Sequence, residues 1–287
     1  MNYTTCIKSL LLLLLLLPLK NVNAFTTISI SEALAQKKID ASFISKGGHS
    51  GECVEMKIVN LTNDQLNIQL DAGDKLMSED STKQNIFISH TDLIALAPKG
   101  TRLKNIYGFC CAVTKHSPTK DNHFSFVKNS NGKEVKLASF INTHRSIDEE
   151  ALQHAIWVVC NGEDAAGIYA EDMTEVQELK KLVAEITGKP IPWYTKKFDR
   201  DSTGMLVRRA LKLYAVMHFD LMQPSEVTVV IKDATGNTMK IPMQEKLLER
   251  GHYDFEYNWE TNMISPGTYY AQIYCNGQMI QEKEIIL

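Results

Sequence analysis

Short runs of alternating apolar and polar residues recur along this chain, closed at each end by turn formers. Cys53-Val54-Glu55-Met56-Lys57-Ile58-Val59 alternates, and so does Leu66-Asn67-Ile68-Gln69-Leu70. Asn63-Asp64 and Asp71-Ala72-Gly73-Asp74 bound the second run. A period of two places every other side chain on one face, which is the signature of a half-buried strand. Asn85–Ser89 and Ile106–Val113 read as further strands, and Asn131-Gly132 reads as a tight hairpin turn. Short strands at this spacing predict antiparallel pairing in a sandwich-like arrangement.

The period then changes. Leu152, Ala155, Ile156 and Val159 follow at helical spacing. Ser146 stands three residues before Glu149, a capping-box spacing, and Asp148, Glu149 and Glu150 place negative charge where a helix dipole favours it. Asn161-Gly162 ends this helix. A second helix is expected over Thr174–Thr187, with Val176, Leu179, Val183 and Ile186 as its stripe and Gly188 and Pro190 as its stop. Residues 25–187 are therefore expected to form an α+β, β-sandwich-like domain with two helices. Residues 188–204, carrying Pro190, Pro192, Gly204 and many charges, read as a linker. From 205 to 287 the pattern is all strand, about seven short ones, as in an immunoglobulin-like sandwich. The fold class is thus mainly β with α.

Ahead of these lies a run of eight leucines, residues 10–17, preceded by Lys8, broken by Pro18 and followed by Val22-Asn23-Ala24. A membrane-spanning helix needs about 20 apolar residues. The shorter run with a charged start and small-residue end is the pattern of a secretory signal peptide over residues 1–24, cut between Ala24 and Phe25. No second long apolar run follows, so the mature chain is expected to lack a transmembrane anchor and to be secreted or held at the cell surface. Hydrophobic residues make up 44% and charged residues 23%, which excludes a disordered chain. A formal charge of −3 argues against a nucleic-acid binder built on a basic face.

Cys6 leaves with the leader. Cys53, Cys110, Cys111, Cys160 and Cys275 remain, an odd number, so at least one thiol is free or pairs between chains. In a strand Cys110 and Cys111 point to opposite faces. One disulfide, Cys53 with Cys110 or Cys111, is compatible with the exported setting. His49, His90, His116, His123, His144 and His154 are scattered and lack the close helical spacing of a zinc protease. No G-x-S-x-G, phosphate loop or dinucleotide fingerprint occurs. No cofactor, metal centre or catalytic residue is expected.

Residues 205–287 carry, in order, Val227–Asp233, Gly236, Gly251–Phe255, Trp259, Pro266-Gly267-Thr268-Tyr269, Asn276-Gly277 and Glu284–Leu287. This string resembles the FlgD-like immunoglobulin domains, and equally the C-terminal sorting domains of proteins exported by the type IX secretion system of Bacteroidetes. The resemblance implies a sandwich that serves export or attachment, with the export machinery or the cell envelope as partner. Its tail departs from the sorting pattern, since Gln281-Glu282-Lys283-Glu284 holds one lysine among acids. In the first domain, Leu70-Asp71-Ala72-Gly73, Gln84, Ala97-Pro98-Lys99-Gly100, Cys110 or Cys111, and Gln153-His154-Ala155-Ile156-Trp157 resemble the thioester domains of bacterial surface adhesins. That resemblance implies a covalent link between Gln153 and Cys110 or Cys111, an electrophilic trap for surface nucleophiles. Leu152 stands where that family often has Thr. The leading expectation is a secreted or surface non-enzymatic binding or scaffold protein that meets a surface protein or glycan. A covalent thioester adhesin and a secreted enzyme with a loop-built site are the alternatives.

Overall fold

The computed structural model describes residues 27–174, 176–202 and 205–287. The signal-peptide expectation, with Ala24 and Phe25, lies outside them. The described chain is mainly β with α. Its first part holds β1 (Thr27–Ser29), α1 (Ile30–Ala35), β2 (Ile39–Ser45), β3 (Ser50–Asn60), β4 (Leu66–Leu70), β5 (Lys75–Ser78), β6 (Ile86–Ile88), β7 (Asp92–Leu96), β8 (Thr101–Cys110) and β9 (His123–Val127). In place of the expected antiparallel sandwich-like arrangement, six of these strands close into a barrel in the order β2-β3-β8-β6-β5-β9. A separate sheet, β1-β4-β7, stands beside it. Closure removes the exposed strand edges that an open sheet has to protect. The alternation in β3 holds: Val54, Met56 and Ile58 are buried while Glu55 and Lys57 are exposed.

Three helices follow: α2 (Gly132–Thr143), α3 (Glu149–Asn161) and α4 (Gln177–Thr187), with a 3₁₀ turn at Ala165–Gly167. α2 was not expected. Asn131-Gly132, read as a hairpin turn, is its start: the Asn131 side chain accepts from the Lys133 amide at 3.1 Å. The same short amide side chain that suits a turn also caps a helix, and Leu137, Ala138 and Ile141 then bury one face. The cap of α3 also differs from the capping-box reading. Asp148, two residues after Ser146, accepts from the amides of Glu150 and Ala151. Its stop is as read, with Gly162 at φ 74°. All four stripe residues of α4 are buried.

The remaining strands are β10 (Tyr194–Arg200), β11 (Leu206–Leu221), β12 (Ser225–Asp233), β13 (Thr238–Leu248), β14 (Gly251–Glu260), β15 (Thr268–Cys275) and β16 (Gln278–Ile286). They form two sheets, β10-β11-β14 and β13-β12-β15-β16. Leu213, Met217, Tyr257 and Trp259 from the first meet Val229, Ile231, Ala271, Ile273 and Ile285 from the second in one apolar cluster. Asn276 and Gly277 both take positive φ (48° and 78°) in the tight turn before β16, as the Asn-Gly pair demands.

Part of the segment expected as a linker is strand β10. Its charged residues disguise it, because their partners come from elsewhere. Lys196 pairs with Asp164, and Lys180 of α4 donates to Thr195 Oγ1 at 2.7 Å. Ala166, from the 3₁₀ turn, packs into the cluster of the C-terminal sheets.

Candidate functional site

Along α3, Glu150, His154 and Trp157 recur at spacings of four and three and so share one stripe. That stripe faces β10, where pairing with β11 shifts register between Lys197 and Asp199. A bulge of this kind re-aims side chains. Phe198, at the shift, stacks on the His154 ring at 5.6 Å and 8°. Arg200 lays its guanidinium 4.7 Å over the Trp157 ring and bonds Glu150 Oε2 at 2.6 Å through Nη2. Between the helix stripe and the strand lies a cleft of about 300 Å³, also lined by Tyr169 and Glu171.

The floor is tightly built. A Cβ on Gly167 would come within 2.1 Å of His154 Nε2, so glycine is required for the ring to lie on the backbone there. His154 Nε2 donates to the Asp164 carbonyl at 2.9 Å. A carbonyl only accepts, so Nε2 carries the proton and Nδ1 keeps a lone pair. Burial pushes His154 down to about 4, so the ring is neutral near pH 7. On the rim, the hydrogen bond from His49 and then the Arg200 pair hold Glu150 down at about 2. Lys197 lies 5.0 Å from the Tyr169 ring and pairs with Glu171, and Tyr169 stacks on Tyr214 of β11. Glu171 is held below its usual range by hydrogen bonds from Lys197 and Tyr169. Trp157 Nε1 and Arg200 Nη1 are buried without a partner. The cleft therefore combines aromatic faces with donors (Lys197, Arg200) and acceptors (Glu171, Asp199).

The residues singled out from the sequence fall elsewhere. Cys53 and Cys110 join the barrel cluster, while Cys111 joins the cluster under the helices. Cys110 and Cys111 thus serve opposite faces. All five described cysteines are free thiols in this structure. Gln153 is fully buried on α3 and donates from Nε2 to the Cys110 carbonyl at 2.6 Å, while its Oε1 has no partner. Burial raises both neighbouring thiols, Cys111 to about 12 and Cys110 well above the usual value.

Of the scattered histidines, only His154 lines the cleft, with His49 reaching its rim through Glu150. Tyr169, Glu171, Phe198 and Arg200 were missed by sequence reasoning. The one available signal was the spacing of Glu150, His154 and Trp157, which had no visible counterpart on the other wall. Among the described residues no group of three or more His, Cys, Asp or Glu is gathered for a metal ion, and no helix is long and apolar enough to cross a membrane. No protein-family model and no curated protein matches the chain.

Proposed function

We propose that this chain is a secreted or cell-surface binding protein, without catalytic work of its own, whose ligand sits between α3 and β10. The carrying observation is the cleft itself, lined from both walls by aromatic rings and charged groups. Its volume, about 300 Å³, lies at the small end of ligand pockets, about 300–1,000 Å³. A saccharide suits it. A sugar ring offers an apolar C–H face for Tyr169 or Phe198 and hydroxyls that both donate and accept. Lys197 and Arg200 supply donors, and Glu171, Asp199 and His154 Nδ1 supply acceptors.

The export half of the reading rests on the leucine-run leader. Two sheets of three and four strands around one apolar cluster support an immunoglobulin-like sandwich at the C-terminal end. In this reading the sandwich delivers or attaches the protein, with the export machinery or envelope as partner. The stitching of β16 favours a retained domain: Trp193 Nε1 donates to the Glu284 carbonyl at 2.6 Å, and Lys283 lies 5.0 Å from the Trp193 ring. The test is a titration of the full chain with oligosaccharides from the producing cell's envelope, read by tryptophan fluorescence. Saturable change that is lost in Tyr169→Ala is expected. No change with any fraction contradicts the reading.

A second reading has its own observation. Gln153 is buried against the Cys110 backbone with Oε1 unpartnered. In a thioester, Sγ of Cys110 or Cys111 bonds to the Gln153 side-chain carbonyl carbon and ammonia leaves. Intact mass of protein from its native host decides. A deficit of one ammonia, absent from Gln153→Ala, supports the thioester, and a full mass removes it.

A further inference from the structure

The outward face of β11 and β14 carries the same tripeptide pattern twice: His218-Phe219-Asp220 and His252-Tyr253-Asp254. The strands are antiparallel, and the register sets His218 opposite Asp254 and Asp220 opposite His252. Each histidine therefore meets the other strand's carboxylate. His218 Nδ1 lies 2.6 Å from Asp254 Oδ1, and His252 Nδ1 bonds Asp220 Oδ1. Beneath them Phe219 and Tyr253 stack at 5.4 Å and 17° on the inward face, fixing the two rungs.

A carboxylate only accepts, so Nδ1 of each ring carries a proton, and the neutral tautomer that this fixes has its lone pair on Nε2. This is the arrangement in which a metal-binding imidazole is normally held: one ring nitrogen donates to a carboxylate, and the other is free for the ion. Neither Nε2 has a partner among the described residues, and all four side chains stand mostly in solvent. Diagonal neighbours across an antiparallel pair are about 7–8 Å apart at the backbone, within reach of side chains as long as histidine. Further along the same face the sheet is covered, since Tyr214 lies under Tyr169 and Thr195 under Lys180. The doubled motif occupies the uncovered end.

We propose that His218 and His252 together bind a first-row divalent transition cation through their two Nε2 atoms, with Asp254 and Asp220 orienting the rings. Imidazole suits zinc, copper and nickel. Two protein ligands leave the remaining positions to water, so the site is open. The site is independent of the cleft, as it shares no residue with it.

The test titrates Zn²⁺ into the full chain and follows the imidazole nitrogens by NMR, with affinity from calorimetry. The Nε2 signals of His218 and His252 are expected to move together and finish at one equivalent. Asp220→Ala and Asp254→Ala should each weaken binding about tenfold or more by freeing a ring. The double change His218→Gln with His252→Gln should abolish this event and leave thermal unfolding unaltered, because these side chains are exposed. The proposal is overturned if the two Nε2 signals stay still at one equivalent. It is equally overturned if the double variant binds Zn²⁺ as tightly as the parent, which would place the ion on other groups such as the thiols.

Discussion

At the scale of single residues, the cleft depends on one close approach. The His154 ring lies between the Phe198 ring and the backbone of Gly167. Gly167→Ala is expected to displace the ring and cost about 1–3 kcal/mol, the range for overpacking a filled site. Denaturant melts measure this, and an unchanged midpoint contradicts the packing described. His154 also sets a pH dependence. Its folded value, about 4, lies below the ordinary 6.5. The unfolded chain therefore takes up a proton between about pH 6.5 and 4 that the folded chain refuses. Stability is full above pH 6.5 and falls as pH drops through that window, by about 3 kcal/mol in all. Glu150, held at about 2, adds its own loss only at lower pH, between about 4.5 and 2. A His154→Phe variant that still folds should lose the first window and keep the second.

At the scale of elements, local pattern was a good guide where one face is buried and the other wet. β3 from Val54 to Ile58, β11 from Leu213 to Leu221 and the apolar stripe of α4 follow their periodicity. It failed where a short signal has two structural uses or where partners are distant. Asn131 illustrates the first case, since an Asn-Gly pair serves a hairpin or a helix start, and only the burial of Leu137, Ala138 and Ile141 selects the helix. Asn131→Ala should lower stability by about 1 kcal/mol, as loss of a cap does, in thermal or urea unfolding. β10 illustrates the second. Thr195 and Lys196 are buried, yet Lys196 draws its partners from Asp164 and the Ile286 carbonyl, far off in sequence. A strand buried on charged residues shows no apolar alternation. Because β10 forms one wall of the cleft, missing it hid that wall. Lys196→Met is expected to cost about 1–3 kcal/mol, the range for hydrogen bonds to charged groups. It should also expose β16 to proteolysis, and an unaltered digestion pattern contradicts the stitching of β16 to β10.

At the scale of the whole molecule, the barrel, the helices and the C-terminal sheets meet through β10 and the 3₁₀ turn. Lys196–Asp164, Arg200–Glu150 and Arg208–Glu163 cross this junction, and Ala166 enters the C-terminal cluster. The cleft lies on the same junction, so binding there and the fit of the two parts are one property. The mainly β class was legible from strand patterns, whereas barrel closure was not, because it depends on pairings such as β2 with β9 that join distant segments. The proposed saccharide site is the cleft at this junction. Saturation-transfer-difference NMR with envelope oligosaccharides tests it most directly, comparing the parent with Phe198→Ala and Tyr169→Ala. Transfer to sugar C–H protons is expected in the parent and is expected to be lost in both variants. Absence of transfer in the parent, or transfer undiminished in the variants, would contradict it.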